Sequence, residues 1–158
     1  MSMLPQSTRT TRRQAGAAIV TICALIVFNT VTLLLFALLH ANGPLAVGAA
    51  VLAEPRIIPA AIVEGLAGLV FAVSAYAVFT RASWAWAATV AAHVFTLAGV
   101  LLGITMIAAG FGPHSALNDT YHPLMVALLV VGLILLATPD VKAGLGRVPR
   151  PARSGGAS

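Results

Sequence analysis

The run Ala15–Leu39 contains no charged side chain. As a helix it would extend roughly 37 Å at 1.5 Å per residue, enough to cross a hydrocarbon core of about 30 Å. Three more apolar runs follow it: Ile57–Phe79, Trp84–Ala109 and His122–Thr138. The four runs predict an all-α integral membrane protein, a four-transmembrane-helix bundle. Composition supports this on one point. Only 8% of residues are charged and 59% are hydrophobic, whereas soluble domains carry about 25% charged residues. So few charges cannot cover a surface facing water, and the lipid bilayer becomes the chain's necessary partner.

The spans divide the sequence. Residues 1–14 form a polar tail with Arg9, Arg12 and Arg13. Residues 15–140 form one transmembrane domain, with spans at about 15–39, 57–79, 84–109 and 122–138. Residues 141–158, rich in Gly, Pro, Ala and Arg, form a tail expected to be disordered. A secretory signal has an apolar core of only about 7–15 residues. Ala15–Leu39 is longer, so it is expected to stay as the first helix. The segment Leu45–Ala53 is apolar but too short to span, and is expected to lie along the interface.

Lys and Arg set the orientation. Arg9, Arg12, Arg13, Arg81, Lys142, Arg147, Arg150 and Arg153 would share one side, and only Arg56 the other. The positive-inside rule places both termini in the cytoplasm. His40, Glu54, Arg56, His114, Asp119 and His122 then face outward, together with the turn-rich stretch Gly110–Pro123. The net charge of +5 follows from these flanks and implies no nucleic-acid partner. The Ala-, Gly- and Arg-rich composition suggests a bacterium, so the location expected is a bacterial plasma membrane.

Each span has one face that departs from plain aliphatic residues. Thr21, Leu25, Asn29, Thr32, Phe36 and His40 share one face of the first helix by spacing. Ala60, Glu64, Gly68, Ala72 and Tyr76 do so in the second. Thr89, His93, Thr96, Val100 and Gly103 follow in the third, and His122, Met125, Leu129 and Gly132 in the fourth. Polar side chains avoid lipid by facing neighbours, and small ones admit close approach. The four faces are expected to meet, with Gly99 and Gly103 against another helix.

Glu64 is the sharpest candidate. A charged carboxylate in hydrocarbon costs a few kcal/mol and must be paired, protonated or wet. His40 and His122 are the titratable groups nearest its depth, and either is a candidate partner. Asn29 and His93 lie deeper. Together Glu64, His93, Asn29, His122 and His40 outline an outward-opening polar pocket or a proton path. A second set, His114, His122 and Asp119, has the ligand types of a zinc or other divalent-metal site. It lacks any established metal spacing, and no cofactor is predicted. There is no His-Glu-x-x-His, no Gly-rich phosphate loop and no thiol pair. The lone Cys23 forms no internal disulfide.

A non-enzymatic accessory or ligand-binding membrane protein is therefore expected. It would act alone, as a homo-oligomer, or within a larger membrane complex. The alternatives are a proton-coupled transporter working as an oligomer and a membrane enzyme using Glu64 with outer histidines.

Overall fold

The computed structural model describes residues 6–52 and 54–146. Helix α1 runs Gln6–Asn42, α2 Ile58–Phe79, α3 Ala85–Ala108 and α4 Ala116–Leu136. A short α5, Pro139–Leu145, follows. The first four are long and apolar enough to cross a membrane. The protein is an all-α four-helix bundle. Sequential helices pack side by side, and α4 and α5 both return to α1. One end carries the loops after α1 and α3, and is called the capped end below. The other carries Arg81 and α5, and is called the basic end.

Small residues set the spacing of the bundle. A Cβ at Gly68 would come 2.7 Å from Leu34 Cδ2 and 3.3 Å from the Leu34 backbone nitrogen. One at Gly99 would come 3.1 Å from Val63 Cγ1, and one at Gly103 would come 3.4 Å from His122 Nε2. Gly99 thus faces α2, and Gly103 faces α4. On the α1–α4 side, Phe36 and Tyr121 stack with centroids 3.7 Å apart and planes 7° from parallel.

Helix ends differ from the sequence expectations in three places. First, α1 is already helical at Gln6, so residues 6–14 of the expected tail continue the helix, while its apolar spanning part begins at Ala15. A formed helix extends cheaply through Gln, Thr and Arg, because nucleation is already complete. Residues 1–5 of the expected tail lie outside the described residues. Second, α4 starts at Ala116, six residues before the expected boundary at His122. Ser115 caps it by accepting the Asn118 N–H at 3.0 Å. Pro123 therefore sits inside the helix, and the ordered turn shrinks to the residues before Ser115. Third, part of the expected disordered tail is α5. Pro139 opens it, and Val141 and Leu145, four apart, are buried against the core. Residues 147–158 lie outside the described residues.

The loop after α1 is a small hairpin. Strand β1 (Leu45–Val47) pairs antiparallel with β2 (Ala50–Leu52), in the register Leu45↔Leu52, Ala46↔Val51, Val47↔Ala50. Gly48, at φ +60, supplies the positive φ that a two-residue turn demands.

At the basic end, Trp86 Nε1 donates to the Leu136 carbonyl at 3.0 Å. The Lys142 ammonium lies 4.5 Å from the centre of the same ring. The indole therefore ties α3 to α4 and α5.

Candidate functional site

The site begins with His40, in the last turn of α1, and Glu64, near the capped end of α2. Both are buried. His40 Nδ1 lies 2.7 Å from Glu64 Oε2. Of the two histidines expected near Glu64, His40 holds this position. With Glu64 ionised, Nδ1 carries the hydrogen and donates it. A carboxylate buried without a partner would cost several kcal/mol, so this bond is what lets α2 keep an acid inside the bundle.

A second acid comes from above. Glu54, in the segment between β2 and α2, is 2% exposed. The Ser115 hydroxyl is shared between its two carboxylate oxygens, at 2.7 and 2.9 Å. Glu54 Oε2 also lies 4.0 Å from His40 Nε2. One imidazole therefore stands between two carboxylates. The backbone holds this corner too, since the Ile57 N–H donates to the His40 carbonyl at 2.8 Å.

Beside this corner lies a cavity of about 380 Å³ between α2, α3 and α4, roofed by Phe111, Gly112 and Pro113. Most of its wall is apolar, including Val63, Ala67, Val100 and Met106. Its polar lining is His40, Glu64, Thr96, Asn118, Tyr121 and His122. Met106 and Phe111 are also exposed, so the cavity reaches the surface near the capped end. His122 Nδ1 donates to the Asn118 carbonyl at 3.0 Å, which leaves Nε2 as the free ring nitrogen.

Of the residues expected to form the pocket, Glu64, His40 and His122 line this cavity, and His93 and Asn29 do not. His93 is fully buried lower in the bundle. Its Nδ1 donates to the Thr89 carbonyl at 2.8 Å, and its ring meets Phe71 edge-on at 5.0 Å. Thr89 in turn bonds Ser74 across to α2 at 2.8 Å. Asn29 is buried too, with both amide atoms unpartnered among the described residues. It lies five residues below Leu34, the neighbour of Gly68, which puts it near the depth of Phe71 and His93.

The set with metal-ligand chemistry is spread out. His114 Nδ1 is 3.4 Å from Asp119 Oδ1, with side chains 67% and 52% exposed. His122 turns away from them toward Gly103 and the cavity. Among the described residues, no three of His, Cys, Asp and Glu converge on a point that could hold a metal ion.

Ser115 and Tyr121 join the site without having been expected there. Ser115 is a residue type that caps helices, which says nothing of a site, and Tyr121 has no signal beyond lying one residue from His122. Glu54 was placed on the outer side by the charge pattern. Nothing in the sequence indicates that the hairpin folds it inward.

Comparison of the chain with family models, with curated proteins and with solved structures returned no match in any of the three.

Proposed function

We propose that this is a non-enzymatic ligand-binding protein of the membrane, taking a small amphipathic molecule into the cavity beneath the capped end. The observation that carries the reading is the composition of that cavity. Its walls are apolar, and a few polar groups converge on it, Glu64 foremost. That is the usual make-up of a small-molecule site, in which apolar area supplies affinity and a few polar groups fix orientation. By the Lys and Arg asymmetry, the capped end faces out of a bacterial plasma membrane.

The test is thermal unfolding of the full chain in lipid nanodiscs, with and without a panel of aryl-alkyl compounds. A ligand at about 100 times its Kd adds about 2.7 kcal/mol of stability. At least one compound is expected to raise the melting temperature, and Gly103→Leu, which drives a side chain toward His122 and the cavity, is expected to cancel the rise. No shift with any compound, or shifts that Gly103→Leu leaves intact, would rule the reading out.

A proton-coupled transporter is the second reading. It is favoured by the polar side chains Thr96, His93, Thr89 and Ser74, all buried and running from the cavity floor toward the basic end. Acidification of pyranine-loaded proteoliposomes, faster with protein than without, would support it over simple binding.

A further inference from the structure

We infer that the ligand is an amphipathic organic ammonium ion, held by its N–H donors on Glu64 with its apolar part against α2 and α3. This rests on the reading of the cavity as a ligand site, and names the chemical class.

The first ground is charge. Glu54 and Glu64 are both buried and share one imidazole. Protonating His40 balances one carboxylate and leaves the other. No lysine or arginine pairs with either acid among the described residues. Arg56, nearest in sequence, is exposed. With both carboxylates ionised, the corner is one positive charge short, in a setting where an unbalanced charge is costly.

The second ground is unused acceptors. Glu64 gives Oε2 to His40, while its Oε1 receives no hydrogen bond among the described residues. Asn118 Oδ1 and Thr96 Oγ1 are also without partners, on side chains 2% and 1% exposed that line the same cavity. His122 Nε2 is an acceptor whenever the ring is neutral, because Nδ1 is already the donor. A carboxylate oxygen, an amide oxygen, a hydroxyl and an imidazole nitrogen all await donors. An ammonium group offers two or three donors together with the missing charge.

The third ground is the wall. Val63, Ala67, Val100 and Met106 cannot replace the oxygen shell of an inorganic cation, which needs six or more ligands for calcium or magnesium. They suit hydrocarbon. An anion of the same shape would meet Glu64 and find no lysine or arginine in the lining.

The experiment uses three probes of one shape: 3-phenylpropylammonium, 3-phenylpropanol and 3-phenylpropanoate. Each is titrated calorimetrically into the full chain in phosphatidylcholine nanodiscs, with empty nanodiscs subtracted. The ammonium is expected to bind at least about tenfold more tightly than the alcohol, a gap of about 1.4 kcal/mol, and the carboxylate not to bind. Glu64→Gln is expected to erase the gap between amine and alcohol. If the alcohol matches the amine in the wild type, the charge inference fails and the binding pocket stands. If none of the three binds, both fail. The wild-type comparison needs no variant, so it decides the matter even if Glu64→Gln does not fold.

Discussion

His93 occupies the space that a side chain at Gly132 would need. A Cβ built at Gly132 would overlap both Nε2 and Cδ2 of the His93 ring. The ring reaches that position because Nδ1 is fixed on the Thr89 carbonyl and one face is set by Phe71. The contact between α3 and α4 at mid-depth is therefore a histidine against a glycine, with no room to spare.

Gly132→Ala is accordingly expected to destabilise the bundle by about 1–3 kcal/mol, the usual cost of overpacking. Gly16→Ala, where nothing lies within 4 Å of the added Cβ, should be neutral or stabilising by up to about 1 kcal/mol. Reversible unfolding in mixed micelles gives both values. Adding His93→Ala to Gly132→Ala should recover part of the loss, and purely additive costs would mean the two residues do not touch.

His40→Ala should cost more than Glu64→Gln. Removing the imidazole strands a buried carboxylate, worth about 3–5 kcal/mol. Removing the charge keeps a hydrogen-bonding amide of the same size, and costs about 1–3 kcal/mol. The double variant should cost less than the sum. Equal single costs, measured in the same unfolding assay, would show that Glu64 is satisfied by something other than His40.

Ser115 serves two groups with one hydroxyl, accepting from Asn118 N–H and donating to Glu54. Ser115→Ala should lose the cap, about 1 kcal/mol, and the partner of a buried carboxylate as well. Ser115→Asp keeps the cap but sets a second carboxylate against Glu54, and should be the worse of the two. Were Ser115→Asp as stable as wild type, the Glu54 contact would have no energetic weight.

Reporter fusions after Ser158 and within Gly110–Pro113 should give opposite signals, with the C-terminal fusion cytoplasmic. The Lys and Arg asymmetry requires this. The same signal from both positions would contradict four spans.

The spans were legible because a charge-free run of that length has few other fates, and Glu64 stood out because an acid inside such a run needs a reason. Its partner was not legible, since His40 and His122 lie at similar depth and only packing separates them. Two of the four predicted faces drifted. In α2, steps of four from Ala60 led to Tyr76, which is 65% exposed. Each such step turns about 400°, so the row slides about 40° per turn off the buried stripe. The buried stripe instead mixes threes and fours: Glu64, Ala67, Phe71, Ser74 and Ala77. In α1, Thr21 is exposed and bonds the Ala17 carbonyl of its own helix. The α3 row, Thr89, His93, Thr96, Val100 and Gly103, already alternated four and three; its first four members are buried and Gly103 is half-buried. The start of α4 was hidden because Asn118, Asp119 and Pro123 are residue types that favour turns, whereas the Ser115 cap carries the helix through all three.

Chain order gives the His40–Glu64 bond a role during synthesis. His40 precedes Glu64 by 24 residues, so the imidazole has already emerged when the acid of α2 reaches the membrane. The second helix can enter the bilayer with its hydrogen-bond partner already present in the first. Glu54 has to wait for Ser115, 61 residues later. A nascent chain ending after α2 would hold Glu64 matched, while Glu54 would lack its Ser115 hydrogen bond. The corner closes only when α4 arrives, which makes that serine the last part of the corner to be put in place.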